Sequence, residues 1–329
     1  MSTYLKAEYK TRGPVPQDVI APVEFTLGAL QADEAILELV ASPINPSDVL
    51  MLTGQYGMLP PLPAIGGNEG IARIVELGTD VQHLTVGTLV LIPAGNGTWV
   101  THFKVKAAKL SPLPEVPDPH QLSMLTVNPA TASLMLSEFV DLKEGDWVIQ
   151  NAANSGVGTY LIQLAKIRGF KTINIVRRPE LVAQLKGIGA DAVVVSEGKW
   201  WEEVKSITEG QPIKLGIDAV AGKATGLMAQ CLGRRGTLIN YGMMSGEVAR
   251  VSPEQLIFQD ITVKGFWLVN WFSQASREEQ GKLYQELAGY IATGKLSTLI
   301  DKVFKVADIK EAVAYANQGG RRGKVLITA

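Results

Sequence analysis

Cysteine is almost missing from this chain of 329 residues, where Cys231 stands alone. One thiol cannot build an internal disulfide framework and fits a reducing compartment. Nor can it supply a four-cysteine zinc site. Histidine is scarce as well, at the widely spaced His83, His102 and His120. Neither sign of charge dominates: 31 Lys and Arg against 32 Asp and Glu leave a net charge of −1. The chain therefore lacks the electrostatic footprint of a nucleic-acid or anionic-membrane binder. No apolar run approaches the ~20 residues that span a bilayer. Residues 1–13 carry charges throughout, without the apolar centre of a secretory signal. Internal repeats and low-complexity stretches are absent too. These absences lead to the expectation of a soluble, cytoplasmic protein with small-molecule partners, although a processed organelle protein has the same composition.

What is present is a chain 46% hydrophobic and 19% charged, long enough for two ordinary cores. Up to about residue 119 it is rich in Pro and Gly, with short β-branched runs at 35–41, 71–77 and 88–92, the pattern of a small β-rich domain. From about residue 122 to 300, short apolar strands alternate with amphipathic helices. Strands are expected at 146–151, 171–176, 192–195, 215–220, 236–241 and 261–267, with helices between most of them, as at 156–168, 179–188 and 223–232. That alternation is the signature of a doubly wound parallel sheet. Residues 301–329 return to strand, helix and strand. The expected fold class is thus α/β, a Rossmann domain over 122–300 plus a β-rich domain over 1–121 and 301–329.

The strongest local motif is the first βα unit, where Trp147-Val148-Ile149-Gln150 runs into Asn151-Ala152-Ala153-Asn154-Ser155-Gly156-Val157-Gly158 and then an apolar helix. Glycines at such a turn let backbone approach a pyrophosphate, whose charge the helix N-terminus favours. The alternative is a tight turn that binds nothing. The next strand ends about twenty residues on, as a dinucleotide fold requires, and it ends in Val176-Arg177-Arg178-Pro179. An NAD site places an acid here for the ribose hydroxyls, whereas arginine accommodates a 2′-phosphate. Arg177 and Arg178 therefore favour NADP(H), against the reading of a solvated basic loop.

Several segments, in order, then resemble one family. They are Asn45-Pro46-Ser47-Asp48, Gly54-Gln55-Tyr56-Gly57, Leu62-Pro63-Ala64-Ile65-Gly66-Gly67-Asn68-Glu69-Gly70, Leu125-Thr126-Val127-Asn128-Pro129, the glycine turn, and Lys264-Gly265-Phe266-Trp267-Leu268. Together they resemble the zinc-free branch of the medium-chain dehydrogenases and reductases typified by mitochondrial 2-enoyl thioester reductases. In the zinc enzymes of that class a Cys stands where Asn45 is and a His where Asn68 is. A neutral amide is a poor replacement for either donor, so the resemblance implies metal-free chemistry on a GroES-like catalytic domain joined to a Rossmann domain.

The resemblance also implies roles. Tyr56 is the proton donor: reducing a 2-enoyl thioester delivers hydride to Cβ and needs a proton at Cα, and a phenol, with an ordinary pKa of about 10, is protonated at neutral pH and can donate. Without the resemblance, a Tyr in a Gly/Pro-rich loop reads as a loop anchor. Trp267 forms a wall of the site, or is otherwise an aromatic at a sheet edge. Asn128 lies by the nicotinamide, and Asn154, Ser155, Gly156 and Val157 hold the pyrophosphate. Tyr241, Gly242, Met243, Met244, Phe266, Leu268 and Lys324 reach the cofactor. Asp48 and Glu69, with no metal, read as structural anchors.

The implied activity is NADPH-dependent reduction of a 2-enoyl thioester carried by coenzyme A or acyl carrier protein. Nucleic acid and membrane are not among the implied partners, and a homodimer would form near residues 261–271. A zinc-free quinone or enone oxidoreductase, which would not need Tyr56, and a non-enzymatic NADPH-binding protein are the alternatives. Two features depart from the family. Arg178 runs straight into Pro179, leaving open which arginine grips the phosphate. The segment Gly319-Gly320-Arg321-Arg322-Gly323 either meets phosphates of the substrate carrier or simply turns into the last strand, with the turn the simpler reading.

Overall fold

A computed structural model describes residues 3–95 and 97–329. The chain divides into two compact units, one of residues 3–126 with 286–329 and the other of residues 127–285.

The first unit is built around the ten-residue strand Glu34–Pro43, apolar at most positions and buried on both faces. It pairs antiparallel with Ile71–Leu77 and with His102–Lys106. At its far end residues 42 and 43 pair with the last strand, Lys324–Thr328, which in turn lies parallel to Ile300–Lys305. A smaller sheet of Ile20–Phe25, Tyr4–Tyr9 and Ala64–Ile65 packs into the same core. At that core's centre is Trp99, fully buried. The turn at Gly66 and Gly67 lies directly on its ring: a Cβ at Gly66 would come within 2.3 Å of the indole, and one at Gly67, where φ is +90°, within 2.2 Å of Thr98 Oγ1. Only glycine lets this loop approach so closely. Asn68 and Glu69 follow in the same loop and are positioned by it.

Residues 286–300 belong to this unit, although their pattern groups them with the parallel sheet. Distant polar contacts hold the end of this segment to the first unit. The Gln121 side chain donates to Thr298 O (3.2 Å) and accepts from Thr298 N (3.0 Å), and Lys324 N donates to Leu299 O at 2.7 Å. No periodicity reports such contacts.

The second unit is a six-stranded sheet in the order Ala192–Val195, Lys171–Val176, Trp147–Gln150, Ile213–Asp218, Thr237–Asn240, Thr262–Gly265, parallel throughout. Numbered along the chain this is 3-2-1-4-5-6, the doubly wound arrangement, with its switch point between the first and fourth strands. The first strand is buried at every residue, as a central parallel strand must be. The expected strand at 215–220 occupies Ile213–Asp218 instead, because Asp218 ends it by turning its carboxylate into the network described below. Thr262–Gly265 is an edge strand, exposed at all four positions. Among the described residues no helix is long and apolar enough to cross a membrane.

Candidate active and cofactor sites

In the first unit, Pro46–Thr53 is a helix that opens at Asn45, with Pro46 at the first turn where its missing N–H costs nothing. Asp48 reaches back to accept the Asn45 N–H at 2.6 Å. The helix stops at Gly54, in the left-handed region at φ +77°, and Gln55 N closes it on Leu50 O at 2.8 Å. That stop delivers Tyr56, half-buried, in a loop whose next three residues are exposed. Arg12, which sequence reasoning missed, anchors the loop by donating to Pro60 O. It also meets the Tyr9 phenol, whose pKa is pushed up by burial. A lone arginine near the start of a chain carries no pattern that would have singled it out.

Beneath the helix lies a buried polar network. Asn45 Nδ2 donates to Glu69 Oε1 at 2.7 Å, while Asn45 Oδ1 accepts from the Lys324 ammonium. The other Glu69 oxygen accepts from Thr126 N and Oγ1 at 3.1 and 3.0 Å. Asn68 Nδ2 donates to Asp48 Oδ1 at 2.6 Å. Asp48, Glu69 and Lys324 are 2%, 2% and 7% exposed, so two carboxylates and one ammonium share a dry interior. Burial, and then Glu69, push Asp48 up to about 7 against the Asn45 N–H, Lys324 and Asn68. Burial pushes Lys324 down to about 8 against the pull of Glu69 and Asp48.

The places of the class's zinc ligands do not suit zinc. Both amides are committed to neighbours within the protein, and an ammonium sits on Asn45 where a cation would have to enter. Among the described residues no group of three or more His, Cys, Asp or Glu side chains converges as a metal site.

A pH dependence follows from Asp48. Its carboxyl titrates at 3.8 ordinarily and at about 7 when folded, so the native state holds a proton that the unfolded state releases between those values. The resulting stabilisation is fully present below pH 4 and lost as pH rises through 7, with a slope of at most about 1.4 kcal/mol per pH unit. Lys324 acts in a separate window, adding stability only as pH climbs above 8. Asp48→Asn is expected to flatten the slope between pH 4 and 7. Denaturant unfolding of both proteins at pH 5 and 7 measures this, and an unchanged slope would remove Asp48 as its source.

In the second unit the helix Gly156–Ile167 starts at Ser155, whose hydroxyl accepts from Gly158 N at 3.1 Å. Gly158 is required: a Cβ there would lie 2.6 Å from Ala153 O. The Tyr241 phenol hydrogen-bonds the Ser155 side chain, and its pKa is pushed up by burial. Two segments distant in sequence, the glycine turn and the end of the fifth strand, thus form one surface. Gly242 fits under Ala219 O, which a Cβ would approach to 2.6 Å, while Met243 and Met244 are exposed. Phe266 N donates to Asn240 O at 2.9 Å and its ring meets Phe139 edge-on. Trp267 directly precedes the helix that begins at Leu268. Asn128 is buried at the start of Asn128–Ser137. Arg177 is exposed, and Arg178 is half-buried with Nε 3.7 Å from Glu180. Lys324 belongs to the first unit's network.

Asp218 is the second residue that sequence reasoning missed. Asn151 Nδ2 donates to it at 2.6 Å, Thr225 Oγ1 at 2.7 Å and Asn240 Nδ2 at 3.2 Å, and the Val220 and Ala221 N–H groups add two more bonds. It ties the carboxyl ends of the first, fourth and fifth strands together at the switch point. A dinucleotide fits this edge. The helix N-terminus presents first-turn N–H groups to a pyrophosphate, and the donor set at the end of the second strand is cationic.

Known proteins match this arrangement. The alcohol dehydrogenase GroES-like domain matches residues 31–115, and the zinc-binding dehydrogenase family matches residues 156–289. These two domains on one chain define a medium-chain dehydrogenase/reductase. The enoyl-[acyl-carrier-protein] reductase, mitochondrial, of Rattus norvegicus is 37% identical over 304 residues, 91% of this chain and 82% of the relative. A solved Etr1p/NADP/crotonyl-CoA complex matches with a TM-score of 0.90 at 28% identity, over 100% of both chains. A Bacillus thuringiensis structure assigned as an NADPH:quinone reductase matches with a TM-score of 0.88 at 26% identity, again over 100% of both. Within the class, the chain belongs to the family of the enoyl-[acyl-carrier-protein] reductases.

Proposed function

We propose that the protein reduces the carbon–carbon double bond of a 2-enoyl thioester with NADPH. The observation that carries this reading is Tyr56, set by the Gly54 helix stop and the Arg12 clamp in a loop at the place of the family's proton donor. The 37% identity to an enoyl reductase over 82% of its length supports it. Bound NADPH supplies a hydride to Cβ. The electron pair of the double bond moves to Cα as an enolate, and the Tyr56 hydroxyl gives Cα its proton and recovers one from water. On this reading the turn from Asn154 to Val157, together with Asn128, Tyr241 to Met244, Phe266 and Leu268, holds the cofactor on the second unit, where Trp267 bounds the site; Lys324, in the first unit, is a cofactor residue that the resemblance alone implies.

The likeness to a quinone reductase supports a second reading, reduction of quinones or free enones. NADPH oxidation measured with crotonyl, hexenoyl and decenoyl thioesters beside a quinone and a simple enone separates them. Turnover confined to the quinone would overturn thioester reduction, and turnover of none would favour a binding protein.

NADPH is the cofactor proposed, through Arg177 and Arg178. A charge-assisted hydrogen bond contributes about 1.5–3 kcal/mol, so replacing both arginines by Ala is expected to cost roughly tenfold in preference over NADH if one of them grips the phosphate and about a hundredfold if both do. Equal Michaelis constants for the two cofactors in the parent protein would count against this assignment.

The proposed homodimer uses the exposed edge strand Thr262–Gly265 and the neighbouring Ile257 and Phe258, 69% and 74% exposed. Light scattering on the purified protein tests it. The cytoplasmic expectation is set against relatives named mitochondrial. The reading supported is a reducing compartment, with cytosol and mitochondrion separated by fractionation.

A further inference from the structure

After the helix Ile309–Asn317 the chain makes a corner of three glycines and two arginines before the final strand. The corner borders a surface cavity of about 280 Å³ lined by Asp301, Tyr315, Gln318, Gly319, Arg321 and Arg322, among others. The Arg321 Nε–H donates to Gln318 O at 3.2 Å, which orients the guanidinium stem. Asp301 is the cavity's carboxylate: one of its oxygens accepts from the Tyr315 hydroxyl at 3.0 Å and from Arg322 N at 3.4 Å, and its charge acts on Arg321. Among the described residues neither guanidinium forms an ion pair with a carboxylate. A turn into a strand needs no arginine, yet two adjacent guanidiniums line this cavity, with Asp301 as the one carboxylate whose charge acts on Arg321.

We propose that this corner binds a phosphate group at the head of the substrate's pantetheine arm, the group that coenzyme A and acyl carrier protein share. The inference rests on the reading of the protein as a thioester reductase. A guanidinium presents paired N–H donors that match phosphate oxygens, and the cavity carries two positive charges against one carboxylate. Burial pushes Arg321 down from its usual range, the mark of a partly desolvated cation that an anion would relieve. The corner also continues directly into Lys324, whose ammonium meets Asn45 at the head of the helix leading to Tyr56. The carrier's arm then spans from phosphate to thioester along this unit.

The test compares the parent with an Arg321→Ala/Arg322→Ala variant on crotonyl-CoA, crotonyl-acyl carrier protein and crotonyl-N-acetylcysteamine, which carries no phosphate. The variant is expected to raise KM at least tenfold for the phosphate-bearing thioesters, with kcat unchanged and KM for the N-acetylcysteamine thioester unmoved. A rise on both carriers assigns the shared phosphate, whereas a rise on coenzyme A alone assigns its adenosine phosphates and overturns the proposal. A rise on the carrier protein alone, an equal rise on all three, or no rise overturns the proposal. Calorimetric titration with free coenzyme A keeps the question separate from activity. If the parent reduces no thioester, the function proposed above fails, yet coenzyme A binding that weakens tenfold in the variant still supports the site, and binding that is absent or unchanged overturns it.

Discussion

Tyr56→Phe is expected to lower turnover of a crotonyl thioester by about 10²–10⁴-fold, the contribution of one positioned acid, while NADPH affinity barely moves. The substitution keeps the ring, its half-buried packing and the loop that Gly54 and Arg12 hold, and deletes only the hydroxyl. Quinone reduction builds no carbanion at carbon, so it should proceed at close to the parental rate. Steady-state rates on both substrates and a cofactor titration on this one variant suffice. Parental turnover of the thioester would take Tyr56 out of the mechanism and leave water as the proton source.

Lys324→Met is expected to have the largest effect on stability. It removes the ammonium from a buried network in which Asn45 links it to Glu69 and in which Asp48 is the second acid. Breaking a buried charge constellation by deleting one partner costs about 3–5 kcal/mol, because the remaining charge stays uncompensated. Denaturant unfolding at pH 7 without cofactor isolates this from any cofactor contact. Adding Glu69→Gln to the variant is expected to restore part of the loss, since the two side chains belong to one network. A loss below about 1 kcal/mol for the single variant would mean that Lys324 does not act as an internal cation.

The parallel sheet can be read from the chain because its inner strands are short apolar runs bounded by turn residues. Residues 171–176 are expected as a strand and form Lys171–Val176. The glycine turn is equally plain, since its spacing is local. Asp218 is not, because its meaning arises only when Asn151, Thr225 and Asn240 converge on it from three elements. Lys324 sits beside a glycine-arginine segment whose composition is that of an exposed loop. It is buried because the next four residues form a strand against Ile300–Lys305 and residues 42 and 43. Asn45 and Asn68 mark missing metal donors in sequence, but only the folded network shows an ammonium on Asn45 and a carboxylate on Asn68.

The two-part makeup of the first unit also orders its birth on the ribosome. Residues 127–285 are contiguous, so every strand of the second unit is available once residue 285 has emerged. The first 126 residues, though made earlier, still lack Ile300–Lys305 and Lys324–Thr328, and Glu34–Pro43 lacks the strand that covers its end. Asp48 and Glu69 meanwhile have no lysine. Domains tend to fold as they are synthesised, the N-terminal ones first, but here the front half must wait for residues 300–328. A nascent chain that has emerged only to about residue 300 would display a finished nucleotide-type domain beside an open sheet edge, the form in which holdase chaperones would meet this protein.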